Sequence, residues 1–331
     1  WSSAKSFTTS RVNEALTYSQ RIISQSNEGV GDVLAASSDG ALLVSGEPRH
    51  DSSVQNGGRA VAYRRGEDGL FSTEHIMGNP NPTQHDVLFG AAVAVSGNGL
   101  VIAVGAPNAR SGTGSSAWKD GIVYLYRNLN NFWYMEGFIS SPMAMDGGQF
   151  GASLTLNYAG TRLAVGEVTG GVGGNGAVHI FEPINGQWRV KHSASPTTFD
   201  STGSAGFGHS LDFTADGDLL AVGAPGADTV LLYQIDTALQ AAGTFTRAGT
   251  VNINRFGESV AMSADGHRLL VGAPEYTEGT LVMAGKAFLY EQTNDVWQLI
   301  RTIAASDAAS HRRYGRRVDV SGDGAVSLVS A

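Results

Sequence analysis

The sequence predicts an all-β fold, a β-propeller of four-stranded antiparallel blades. Three observations carry that expectation. One phrase recurs six times at a nearly constant interval. Apolar residues inside it alternate with a period of two. Helical periodicity is hard to find along the 331 residues. The clearest copies are "FGAAVAVSGNGLVIAVGAP" (89–107), "FGASLTLNYAGTRLAVGEV" (150–168), "FGHSLDFTADGDLLAVGAP" (207–225) and "FGESVAMSADGHRLLVGAP" (256–274). A weaker copy, "VGDVLAASSDGALLVSGEP", covers 30–48, and a truncated one, "YGRRVDVSGDGAVSLVSA", covers 314–331. The starts lie 59, 61, 57, 49 and 58 residues apart and the copies align without gaps, which marks tandem structural units.

Each unit reads as four strands. In the copy at 256–274, Val260 and Met262 alternate with Ser259 and Ala261, so the first strand has two distinct faces. Asp265-Gly266 predicts a tight hairpin, because glycine accepts positive φ. The second strand, "RLLVGA", is apolar on both faces, as a strand covered on both sides should be. A loop of variable length precedes the third strand: "GRAVAY" (58–63), "GIVYLY" (121–126), "GAVHIF" (176–181), "TVLLY" (229–233) and "GKAFLY" (285–290). An aromatic residue opens the fourth: Phe71, Trp133, Trp188, Phe245 and Trp297. "DTALQAAG" (236–243) is the one candidate for a helical turn. The Phe of each phrase is expected to wedge between adjacent sheets. Its Gly lets the inner strand start close to a neighbour, and Gly-Ala-Pro ends the second strand where backbones crowd.

The ends complement one another. "SAKSFTTSRVNEALTYSQRI" (3–22) aligns with "AGKAFLYEQTNDVWQLIRTI" (284–303), so 1–26 reads as strands three and four of a blade. Residues 306–331 read as strands one and two. Whole blades fall at 27–82, 83–143, 144–198, 199–251 and 252–305 within one domain, 1–331. Six blades, with a closing blade shared by both termini, are favoured. Seven, at about 57 residues each, are the alternative. Trp1 lies outside the alignment.

Composition narrows the function. Glycine, at 44 residues, is close to twice its usual share, without a collagen period. The net charge of −8 argues against nucleic acid and against an anionic membrane surface as partners. No apolar run is long enough for a membrane helix. Cysteine is absent, which excludes disulfides, thiol catalysis and Cys-ligated metals.

The phrase "FGxSVAxSxDGxxLxVGAP", followed by "GxVxLY" and a Trp, resembles the FG-GAP repeat of integrin α-subunit propellers. It is most similar to the shorter variant found in secreted and surface proteins. Departures are Val30-Gly31, Glu47 and Glu167 in place of the Ala of Gly-Ala-Pro, and Val168 in place of its Pro. The resemblance implies an extracellular or cell-surface module, part of a larger protein or assembly, that binds another protein through its loop-bearing face and is not an enzyme. A carbohydrate-binding propeller is the alternative, and a propeller hydrolase stands behind both.

Candidate site residues follow from the loops and turns. Integrin-like blades can hold Ca²⁺ at the turn between strands one and two, but the turns here carry too few carboxylates for a hard cation. Asp216, Asp218 and Asp265 are the only weak candidates, the alternative being plain Asp-Gly hairpins, and no cofactor is expected. The loops at 49–57, 108–120, 169–175 and 275–284 vary in length and are the expected binding rim. Trp118 with Lys119 and Asp120, Tyr276, Met283, and His50 with Asp51 are its candidate contacts. Arg312 and Arg313, in "HRRYGRR" (311–317), suit a carboxylate or sulfate. The eight histidines are scattered, and no nucleophile elbow, phosphate loop or zinc-protease helix is present, so catalytic residues are not expected.

Overall fold

The computed structural model describes residues 33–51, 54–111, 119–143, 145–196, 205–235, 239–246 and 254–331. The described residues are all-β, apart from two three-residue 3₁₀ turns at Val172–Gly174 and Pro225–Ala227. They divide into two compact units, one within 15–195 and the other within 196–331.

The first unit holds three blades. Blade one is β1 (Val33–Ala36), β2 (Leu42–Glu47), β3 (Arg59–Arg65) and β4 (Phe71–Gly78). Blade two is β5 (Ala92–Val95), β6 (Val101–Ala106), β7 (Ile122–Leu129) and β8 (Phe132–Ser140). Blade three is β9 (Phe150–Leu156), β10 (Leu163–Glu167), β11 (Ala177–Ile184) and β12 (Gln187–Ala194). The second unit holds β13 (Ser210–Phe213), β14 (Leu219–Ala224), β15 (Thr229–Ile235) and β16 (Leu239–Thr246) as one blade. The next is β17 (Ser259–Met262), β18 (Arg268–Ala273), β19 (Lys286–Thr293) and β20 (Val296–Ile303). Its last sheet is the pair β21 (Arg317–Val320) and β22 (Ser327–Ser330). Within every sheet the strands run antiparallel in sequence order, the propeller pattern. The expected completion of β21–β22 by residues 1–26 lies outside the described residues.

Within each unit the cores lie between successive blades. Leu42, Val44 and Met77 of blade one pack with Phe89, Ile102, Val104 and Tyr124. Val101, Leu125 and Ile139 of blade two pack with Phe150, Leu163, Val165 and Phe181. In the other unit, Phe256 sits with Ala221, Leu232, Leu269 and Phe288, and Tyr314 with Leu270, Leu289 and Val329. Phe89, Phe150, Phe207 and Phe256 are fully buried, and Phe89, Phe150 and Phe256 are the expected wedges between blades of one unit.

The two ends of the phrase meet across blades. A Cβ on Gly46, Gly105, Gly223 or Gly272, the Gly of Gly-Ala-Pro or its counterpart, would lie 2.0–2.1 Å from the carbonyl oxygen of Gly90, Gly151, Gly257 or Gly315. Gly90 N and Gly257 N also donate to Gly105 O and Gly272 O of their own blades. The phrase thus describes a backbone-to-backbone contact that admits no side chain.

The outer strands explain the recurring Trp. Trp133 Nε1 donates to Glu74 Oε1 of the preceding blade at 3.1 Å, and Trp188 Nε1 to Glu136 Oε2 at 3.2 Å. Each glutamate is also held by an arginine of its own third strand, Arg64 at 2.7 Å and Arg127 at 3.0 Å. All five complete blades share one bulge on the fourth strand, opposite the step into Tyr63, Tyr126, Phe181, Tyr233 or Tyr290.

Two local expectations are corrected. Residues 239–246 are strand β16 rather than a helical turn, because pairing with β15 satisfies their backbone. Phe245 consequently lies near the end of its strand, opposite Val230, instead of opening it.

Candidate active site

The side chains that stand out chemically are in blade three, where two departures from the repeat coincide. Glu167 ends β10, at the position that Ala106, Ala224 and Ala273 hold in other blades. His179 lies on β11, in register with the positions of Tyr124 and Phe288. Those rings pack on Phe89 and Phe256 with centroids 5.4 and 5.7 Å apart, and His179 packs on Phe150 at 5.8 Å. The imidazole therefore occupies an aromatic slot and the carboxylate an alanine slot.

Both side chains are fully buried, and His179 Nε2 lies 2.9 Å from Glu167 Oε2. A buried charge must be paired or hydrogen bonded, so the carboxylate fixes the tautomer with the proton on Nε2. Nδ1 is then the acceptor, and the Ser193 hydroxyl lies 2.8 Å from it. Ser193 is directly opposite His179 in the β11–β12 register, and it is exposed. Three adjacent strands thus carry a hydrogen-bonded row, exposed serine to buried histidine to buried glutamate.

The surroundings hold the row in place. Ser141 Oγ donates to Glu167 Oε2 at 2.6 Å, and Ser141 Oγ accepts from Met143 N at 3.0 Å. Glu167 Oε1 is buried without a hydrogen-bond partner among the described residues and faces Gly148 and Gly170, where a Cβ would come within 2.3 Å of it. The glycine-rich loop beyond β10 is tied beside the serine: Val172 N donates to Ser195 Oγ at 2.8 Å, which in turn donates to Gly176 O at 3.0 Å. Gly171, Gly173, Gly174 and Gly176 all have positive φ, which this tight loop requires.

Blade one carries the other glutamate departure with different chemistry. Glu47 is buried and paired with Arg59 Nε at 2.6 Å, and Arg59 Nη1 reaches His50 Nε2 at 3.3 Å. Here a guanidinium neutralises the carboxylate.

The residues singled out from the sequence lie in several loops of the two units. Trp118 lies outside the described residues. The Lys119 backbone N–H donates to Asp146 Oδ1, and its side chain is exposed. Asp120 is fully buried and binds Ser111 through both oxygens, closing the start of its own loop. Asp51 accepts from Asn56 N. Tyr276 packs on Phe288, with Lys286 Nζ 4.7 Å from its ring centre. Met283 is half-buried, with φ of 51°. Arg312 is exposed, and Arg313 reaches Glu275 at 3.7 Å.

Asp216 and Asp265 each close their own hairpin. They accept from Thr214 Oγ1 and Ser263 Oγ and from the backbone N–H groups of Asp218 and His267. The Ser263 hydroxyl, with the His267 amide, holds the Asp265 carboxyl below the usual range. Asp218 follows on the exposed turn. The Asp216 and Asp265 carboxylates serve separate turn contacts.

No protein-family model matches this sequence, and no curated protein matches it either. The structure is similar to a candidate 6-phosphogluconolactonase of Bacteroides uniformis, with TM-score 0.59 and 14% identity over 90% of this chain and 76% of that one. A second candidate 6-phosphogluconolactonase, from Bacteroides fragilis, gives TM-score 0.56 and 15% identity over 90% and 76%. A periplasmic gluconolactonase of Pseudomonas aeruginosa gives 0.56 and 14% over 93% and 79%. These likenesses support the propeller fold.

They also overturn the FG-GAP assignment, and with it the integrin-like, structural and non-enzymatic adhesion readings: the similar structures belong to a lactonase-type propeller family. The physical reason lies in the phrase itself. Phe-Gly and Gly-Ala-Pro encode a wedge and a Gly-to-Gly contact between blades. That is a packing requirement of closely set blades and carries no information about ligands.

Proposed function

We propose that this protein is a hydrolase that opens a lactone or related ester, with Ser193 as nucleophile, His179 as general base and acid, and Glu167 as the group that orients and charges the imidazole. The observation that carries this reading is the row Ser193–His179–Glu167, with links of 2.8 and 2.9 Å and only the serine exposed. A nucleophile, its base and the group orienting the base are the three parts acyl transfer requires, and their roles are recognised by geometry rather than by chain order. The similar structures include a gluconolactonase and two candidate 6-phosphogluconolactonases, which supports a sugar lactone as the substrate class. The periplasmic gluconolactonase among them supports a location outside the cytoplasm.

The steps balance simply. The Ser193 hydroxyl gives its proton to His179 Nδ1 as Oγ bonds to the lactone carbonyl carbon. The imidazolium that forms is paired with Glu167 through Nε2. The ring C–O bond then breaks and the leaving oxygen takes the proton from Nδ1. Water, deprotonated by the same nitrogen, bonds to the acyl carbon, and Nδ1 returns that proton to Oγ as the C–Oγ bond breaks and the hydroxy acid leaves. Burial of His179 and Glu167 keeps water from competing for their hydrogen bond.

The test is hydrolysis of glucono-δ-lactone, with and without a 6-phosphate, by the wild type and Ser193→Ala, each corrected for spontaneous opening. The expected result is a loss of at least about 10³-fold in kcat with little change in KM. An unchanged rate in Ser193→Ala, or no lactonase or esterase activity in the wild type, contradicts the reading.

A further inference from the structure

Residues 311–317 place four arginines in seven positions of a chain with net charge −8. The segment is an ordered strap. His311 N donates to Val282 O at 2.8 Å, Arg313 N to Met283 O at 3.0 Å and Tyr314 N to Ala284 O at 3.0 Å. Tyr314 is buried at its centre, and a Cβ on Gly285 would lie 2.1 Å from Tyr314 O, so the two segments touch backbone to backbone. His311, Arg313 and Gly315 have φ of 66°, 54° and 92°. For the two non-glycine residues such angles are costly and persist only where surrounding bonds impose them. These alternating turns keep the strap short, with Arg312, Arg313, Arg316 and Arg317 exposed on either side of the Tyr314-Gly315 anchor.

Among the described residues, six arginines elsewhere are neutralised, while the Arg65 and Arg189 side chains bond only to Gly69 O and Gln187 Oε1. Arg59, Arg64, Arg127, Arg162, Arg255 and Arg268 each meet a glutamate at 3.0 Å or less. On the strap only Arg313 has an acidic partner, Glu275, at 3.7 Å. Among the described residues no carboxylate pairs with Arg312, Arg316 or Arg317, and the only side-chain bond of the three runs from Arg317 Nη1 to Arg316 O.

We propose that this strap is a binding site for a phosphate group, free or carried on a small ligand, with Arg312, Arg316 and Arg317 as its contacts. The planar guanidinium fork matches a tetrahedral oxyanion two oxygens at a time, and because the strap's backbone is already held in place, ordering the side chains is the main conformational cost of binding. The surrounding negative charge selects a compact anion, because an extended polyanion would meet repulsion beyond the strap. The inference uses none of the residues of the Ser193 row, so it stands or falls separately.

The experiment is calorimetric titration at constant ionic strength with three probes: inorganic phosphate, glucose 6-phosphate and glucose. Saturable binding of both phosphates, absent for glucose, is expected. The triple variant Arg312→Ala, Arg316→Ala, Arg317→Ala should weaken it at least tenfold. The control Arg65→Ala, Arg189→Ala removes two exposed arginines from outside the strap and should leave it unchanged. Arg312→Gln, an exposed single change, should weaken binding at least threefold and serves if the triple variant does not fold. Tighter binding of glucose 6-phosphate than of inorganic phosphate points to a ligand-borne group, and equal binding to the free ion. Non-saturating heats, or equal losses in the control and strap variants, overturn the proposal.

Discussion

Gly105 and Gly151 meet backbone to backbone, and a Cβ added to Gly105 would lie 2.1 Å from the carbonyl oxygen of Gly151 and 3.1 Å from its carbon. Neither neighbour is the movable end of a side chain, so blades two and three would have to part. Gly105→Ala is expected to cost about 3 kcal/mol, at the upper end of overpacking penalties. Gly137→Ala on β8, where no atom lies within 4 Å of the added Cβ, should cost less than about 1 kcal/mol. Urea unfolding of the two variants checks the difference, and equal midpoints would contradict it.

This contact shows what the sequence discloses. Its period, the Asp-Gly turns and the paired glycines reveal the blades because each is a local or nearest-neighbour requirement repeated many times. The active-site row is harder to see. Glu167 stands out as a departure from Gly-Ala-Pro, and His179 interrupts the apolar run of the phrase "GAVHIF". Only the β10–β11 register shows that the two departures answer each other. Ser193 carries no mark at all: it lies in a polar outer strand, and register with His179 alone singles it out. The FG-GAP resemblance misled on function because its motif records packing.

The buried pair supplies the next expectation. Removing the hydrogen-bond partner of a buried carboxylate leaves that charge uncompensated, at a cost of about 3 kcal/mol or more. His179→Phe should therefore destabilise strongly even though Tyr124 and Phe288 hold that slot in other blades. The double change His179→Phe, Glu167→Ala restores both slots to the residue types seen elsewhere. It should recover most of the lost stability while abolishing hydrolysis. A double variant no more stable than His179→Phe would show that the two side chains are not coupled.

The Ser141 hydroxyl shares Glu167 Oε2 with His179. As a positioning residue it should act through the orientation of the carboxylate. Ser141→Ala is expected to lower kcat about tenfold with KM unchanged and to shift the acid limb of the kcat pH profile, while Ser141→Thr, which keeps the hydroxyl, should rescue both. A uniform loss of folded protein, with the pH profile of the active fraction unmoved, would mark the role as merely structural.

Glu258 gives a pH dependence whose sign is fixed. Burial alone would raise its pKa, but the His209 and Arg255 bonds overcome that and lower it from 4.5 to about 2. A carboxyl whose folded value is depressed contributes stability above its unfolded pKa and loses it as pH falls through the folded one. Stability on the order of 3 kcal/mol should therefore be lost progressively between pH 4.5 and about 2. Glu258→Gln should flatten that part of the curve of Tm against pH. An unchanged acid limb in the variant would assign the loss to other groups.

The central claim is that Ser193 is a nucleophile activated by His179. Its most direct measurement is the intact mass of the protein after treatment with a fluorophosphonate serine probe, with the modified peptide identified. One adduct per chain, located on Ser193, is expected in the wild type. Labelling should slow by at least about 10²-fold in His179→Gln and be absent in Ser193→Ala. A wild-type protein that stays unlabelled, or an adduct that persists in Ser193→Ala, would contradict the account.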